Sequence, residues 1–157
     1  MPKLKGLLHV VLAGWLWAAG VAAEPQRVRL PEGNAHGFLI VRTLAGEAIA
    51  YGELVQKPTR GLITSRLLLH FNDGSLYDET VAFSQKDVFR LERYQLAQRG
   101  PSFPQATIAF DRKSGQYRVR QQDTKDSEAK TARGPLELPP DLYNGMATTL
   151  MKNLHRG

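Results

Sequence analysis

Of the four histidines in this 157-residue chain, His70 has the most chemistry around it, lying close in sequence to Asp73, Asp78 and Glu79. Imidazole and carboxylate at such spacing can hold a metal ion or move protons between acid and base. The companion groups for a reaction are missing. There is no cysteine and no Gly-x-Ser-x-Gly turn to present a nucleophile. The acids around Asp73-Gly74 also lack the alternation of a calcium-binding EF-hand loop. A solvated hairpin tip with one histidine nearby is the preferred reading, and a hydrolase centred on His70 and Asp78 is the weakest of three functional options. We expect no catalytic residue, no metal and no cofactor.

A second group is basic. Arg118 and Arg120 share a strand face, and Arg112 and Lys113 occupy the adjoining turn. Such a patch can bind phosphates. Asp123, Asp126 and Glu128 follow closely and dilute it, so a solvated sheet face is expected. No nucleic-acid partner is expected, and anionic lipid headgroups would suit the patch better than DNA.

The third group is apolar. Leu67, Leu69, Phe71, Tyr77, Val81, Phe83, Ile108 and Phe110 fall on alternate positions of successive segments, and Leu142, Met146 and Leu150 recur every four residues near the end. Together they describe an apolar sheet face with a lid, whose closure can leave room for a lipid or another apolar ligand. These eleven residues are the candidate ligand-binding set.

The elements that carry them are legible from period and punctuation. Leu62 to Ser84 alternates with period two on either side of Asn72-Asp73-Gly74, and Asp-Gly is a strong hairpin turn. Phe38–Leu44 reads as a strand, Ala48–Val55 as a second, and 57–61 as a loop. Val88–Ala97 reads as a strand with Phe89 and Leu91 inward. Ala106–Phe110 and Tyr117–Val119 form another hairpin around Asp111 to Gly115. Gln121–Arg133 reads as an exposed loop and Pro135–Leu138 as a short strand. After Pro139-Pro140 the period changes to that of a helix over 141–154, with Asp141 as N-cap and Lys152 near the C-terminal end of the dipole.

Upstream, Lys3 and Lys5 precede an apolar run from Leu7 to Ala19, and Val21-Ala22-Ala23 supplies small residues for a peptidase. This is the three-part layout of a secretory signal, with cleavage expected after Ala23. The run is shorter than the ~20 residues of a membrane span, so no span is expected after cleavage. Losing Lys3 and Lys5 takes the formal charge from +6 to +4. An exported chain without cysteine must hold itself together by packing and sheet hydrogen bonds. Length gives one domain over 38–157, preceded by an arm over 24–37.

The stretches Leu69 to Thr80, Gly100 to Pro104 and Leu138 to Met146 resemble an uncharacterised group of exported bacterial proteins with a β-rich domain of unknown function. More distantly, the expected architecture is similar to the periplasmic carriers of outer-membrane lipoproteins. Members of the group continue past the helix into further strands, so the resemblance implies a shortened form with an unpaired sheet edge.

The fold expected is α+β and β-dominated: a curved antiparallel meander with one C-terminal amphipathic helix packed on its concave face. The function expected is a non-catalytic, periplasmic binding module for a lipid or apolar ligand. The alternative is an interaction or assembly factor that pairs a partner protein with an exposed sheet edge.

Overall fold

A computed structural model describes residues 24–122 and 127–154; the leader expected over 1–23, with cleavage expected after Ala23, lies outside them. Eight strands follow one another: β1 (Ala35–Arg42), β2 (Ala48–Thr59), β3 (Leu62–Phe71), β4 (Leu76–Gln85), β5 (Phe89–Arg99), β6 (Gln105–Asp111), β7 (Gln116–Gln122) and β8 (Lys130–Pro135). They form one open antiparallel sheet in sequence order, and a short helix, α1 (Ala147–Asn153), follows. Short connections between consecutive strands leave no room for crossovers, so the meander is the direct outcome of the turn chemistry.

Register places all eight strand residues of the apolar set on one face. Leu67 pairs with Glu79 and Leu69 with Tyr77, while Ser65 faces Val81 and Ile63 faces Phe83. Farther along, Tyr94 pairs with Phe110 and Leu96 with Ile108. A bulge between Ala82 and Phe83 of β4 lets Phe83 pair with Leu91 while Ala82 pairs with Arg93. The extra residue on β5, Glu92, lets Phe89 and Leu91 before it and Tyr94 and Leu96 after it all face inward, which simple alternation does not foresee. The core is Ile63, Val81, Phe83, Phe89, Leu91, Tyr94 and Met146, all buried, with Phe83 and Phe89 edge to face.

The ends of several elements differ from the sequence reading. β2 runs through Lys57, Pro58 and Thr59 to a two-residue turn at Arg60-Gly61, both with positive φ. Pro58 is tolerated because β1 reaches only to the Ala35–Gln56 pair, leaving Pro58 without a neighbour on that side. Of the expected loop over 121–133, Gln121 and Gln122 end β7 and Lys130 to Arg133 belong to β8, 123–126 lie outside the described residues, and Leu136–Leu138 is not strand. β8 is an outermost strand with five of six residues exposed, so it carries no apolar alternation to read.

The helix is shorter than the expected 141–154, and Asp141 does not cap it. Met146 holds the N-cap position without a side-chain cap, and Gly145 before it has φ +71°. Residues 139–146 turn instead, with Leu142 N–H donating to Pro139 O and Met146 N–H to Tyr143 O. Asn144-Gly145 is the breaker. Met146 is buried and Leu142 and Leu150 pack against the core, so the stripe still faces the sheet; Leu154 is exposed.

The leading arm contributes an isolated antiparallel bridge, Arg27 to Val88. Arg112 supports the other flank: Nε donates to Leu91 O at 2.7 Å, and Nη1 and Nη2 to Leu138 O and Pro139 O at 2.7 and 3.0 Å. Its planar fork satisfies three carbonyls at once.

Candidate functional site

Seven of the eleven candidate residues, Val81, Phe83, Met146, Ile108, Phe110, Leu142 and Leu150, meet in the core cluster; Leu67, Leu69, Phe71 and Tyr77 are not part of it. Val81, Phe83 and Met146 are fully packed, and Ile108, Phe110, Leu142 and Leu150 are half-buried around them. Tyr94, with its ring stacked on Phe110 at 5.0 Å, fills the middle. Leu67, Leu69 and Phe71 are half-buried on β3, and Phe71 meets Phe103 edge to face.

What remains open is a cleft of about 140 Å³ between α1 and the strands β1–β4. Leu39, Leu54, Leu67 and Val81 form its apolar wall, and Gly145, Ala147 and Thr148 its rim. Glu79 and Ser65 also line it. Glu79 is 9% exposed. Its Oε1 accepts the Tyr94 hydroxyl at 2.7 Å and the Tyr77 hydroxyl at 3.0 Å. Desolvation first, and then the Glu79 carboxylate, push the Tyr77 phenol up to about 12. Tyr94 is raised further, again by burial first and then by its bond to Glu79. Both tyrosines therefore serve as fixed donors to Glu79 Oε1.

The opposite face holds the polar candidates, and it separates them. His70 is exposed and pairs across the ladder with Leu76. Asp78 is held by Arg66 instead, in a fork of 2.9 and 2.7 Å that depresses its pKa below the usual carboxylate range. Asp73 donates nothing to His70; it accepts Ser75 N–H at 2.8 Å and the Ser102 hydroxyl, tying the β3–β4 turn to the loop after β5. Among the described residues no cluster of His, Asp or Glu has metal-holding geometry. Arg118 lies between Ala109 and Arg133 on neighbouring strands, above an open depression that also meets Arg93 and Asp111. Arg112 has turned away to its three carbonyls and leaves this patch.

The two outer strands are unlike each other. β8 reads Lys-Thr-Ala-Arg-Gly-Pro, with charge and a proline of the sort that blunts an edge. β1 reads Ala-His-Gly-Phe-Leu-Ile-Val-Arg, and its central residues are apolar and open on both faces. Phe38 is 84% exposed and Ile40 52%, beside Tyr51 on β2; Leu39 on the other face is 36% exposed. Among the described residues no strand pairs with the outer side of β1.

Reading the sequence missed Glu79 as a cleft residue because its charge suggested solvent. Its position between Tyr77 and Val81 was the available signal. The β1 edge was foreseen only in kind. No family model, curated protein or solved structure matches this chain.

Proposed function

We propose that this domain is an exported, non-catalytic binding module that works by strand addition at β1. The partner is an extended segment of another protein with an apolar centre. The observation that carries this reading is the contrast of the two edges: β8 is guarded by Lys130, Arg133 and Pro135, whereas β1 offers eight residues with Phe38, Leu39 and Ile40 uncovered. A strand laid against β1 would gain main-chain hydrogen bonds from its free edge, and side chains beside Phe38 and Ile40 would supply specificity. Export after cleavage at Ala23 and a periplasmic setting belong to the same proposal.

The size of the cleft favours this reading over burial of a long acyl chain. Sites that bury a drug-sized ligand run to about 300–1,000 Å³, well above the cleft beneath α1. The half-buried Leu67, Leu69 and Phe71 beside the helix keep a lipid or apolar ligand as the second reading. Native mass spectrometry of the purified protein separates the two, since only the second predicts a retained, extractable lipid.

The direct test of strand addition uses a synthetic peptide with the sequence of β1, Ala35 to Arg42, as the added strand. Calorimetry should show saturable binding, and the same peptide N-methylated at alternate amides should lose it. Equal binding of the two peptides would remove main-chain pairing from the account.

A further inference from the structure

The cleft beneath α1 contains an electrostatic feature that the packing of an apolar core does not require. Both tyrosine hydroxyls bond Glu79 Oε1, and no described donor reaches Oε2. No described Lys, Arg or His lies within ion-pair distance of this carboxylate, although the side chain is nine-tenths buried. No buried polar atom of the described residues lacks a partner, so Oε2 is open to the cleft. It lies against Gly145, where a Cβ would come within 3.1 Å of it. Ser65 repeats the pattern: it is 7% exposed, lines the same cleft, and its hydroxyl has no described partner. Ser65 and Glu79 occupy adjacent strands and are diagonal in register, Ser65 facing Val81 and Leu67 facing Glu79. Diagonal neighbours stand about 7–8 Å apart, which leaves room for one small polar group between two acceptors.

We propose that this cleft is a binding site for a small organic cation, a primary ammonium on a short apolar stem. The ammonium donates to Glu79 Oε2 and Ser65 Oγ, and the stem lies along Leu39, Leu54, Leu67 and Val81. An ammonium has three donors and no acceptor, which suits a carboxylate oxygen and a hydroxyl whose lone pairs can both accept. A positive charge compensates a carboxylate withdrawn from water, and Glu79 Oε2 remains open to the cleft after the two tyrosines have bonded Oε1. A cation is the group that would complete it. The volume of about 140 Å³ corresponds to roughly five water molecules at about 30 Å³ each, the scale of a four-carbon amine. This inference does not rest on strand addition at β1.

The probes are n-butylammonium, 1-butanol and butyrate, titrated separately into the isotopically labelled protein lacking residues 1–23. n-Butylammonium should shift the amide resonances of Gly145, Ala147 and Thr148 saturably, butanol more weakly, and butyrate not at all. Glu79→Gln should cut n-butylammonium affinity at least tenfold while leaving butanol unchanged. Should that variant unfold, Ala147→Phe, placed on the exposed rim of the cleft, should block both probes by filling it. Equal shifts with all three probes, or no saturable shift with n-butylammonium at high millimolar concentration, would overturn the assignment.

Discussion

Asn153 near the end of α1 pairs with the backbone of Leu30, 123 residues away, in both directions. Its Oδ1 accepts Leu30 N–H at 2.8 Å, and its Nδ2 donates to Leu30 O at 3.4 Å. The same Oδ1 also takes Arg29 N–H at 2.8 Å, and the Asn153 carbonyl accepts from Gln26 Nε2 at 3.0 Å. A side-chain amide here imitates one rung of a sheet ladder. It binds the leading arm to the helix, and Lys152 reinforces the joint through Glu32 at 3.0 Å.

Asn153→Ala removes that rung and leaves the part-buried backbone groups of Arg29 and Leu30 without their partner. The expected loss is about 1–3 kcal/mol, measured by chemical denaturation. The amides of Arg29 and Leu30 should exchange faster in the variant while those of β4 keep their protection. Unchanged stability would mean that the arm is held elsewhere.

Two glycines on the same sheet face should respond oppositely to alanine. At Gly52 a Cβ would lie 1.8 Å from Leu68 O and 2.8 Å from Leu69 Cδ2, so β2 and β3 must separate to admit it. At Gly37 on β1 nothing lies within 4 Å. Gly52→Ala should cost about 1–3 kcal/mol by forced repacking, and Gly37→Ala should stay within about 0.5 kcal/mol of the parent. Thermal unfolding of the two variants checks both.

Alkaline stability follows from the tyrosine pair. Tyr77 carries a folded pKa of about 12 against an unfolded value of 10.0, and Tyr94 is displaced in the same direction. The folded chain therefore holds these protons more tightly than the unfolded chain. Stability should be flat with respect to both groups below about pH 10, and should fall as pH rises from there through the folded values. Tyr77→Phe combined with Tyr94→Phe should flatten that fall. Thermal midpoints recorded across this range decide it, and an identical slope in parent and variant would dissociate the pair from alkaline unfolding.

Most of the architecture is legible in residues whose local chemistry agrees with their environment. Asp73-Gly74 announces its turn because Gly74 has φ +85° and Asp73 caps Ser75 N–H. Leu67, Leu69, Tyr77 and Val81 announce a face because one side of their strands is buried. The illegible parts have specific causes. Arg60 occupies positive φ, where arginine gives no turn signal. The bulge beside Phe83 changes the parity of β5 without a glycine to mark it. β8, exposed on nearly every residue, has no burial to impose a pattern. Leu142, Met146 and Leu150 keep a helical spacing although only the last belongs to the helix, because a turn through Asn144-Gly145 happens to aim Met146 at the same core. Of the cleft's apolar wall, Leu67 and Val81 were readable, whereas Leu39, Leu54 and the polar pair of Glu79 and Ser65 required the fold.

The account centres on β1 as the edge that receives another strand. Its most direct measurement is amide hydrogen exchange across the whole sheet, with and without the β1-sequence peptide. The account predicts new protection at alternate amides of Ala35–Arg42 and no change at Lys130–Pro135. Protection appearing on β8, or on neither edge while the peptide is bound, would contradict it.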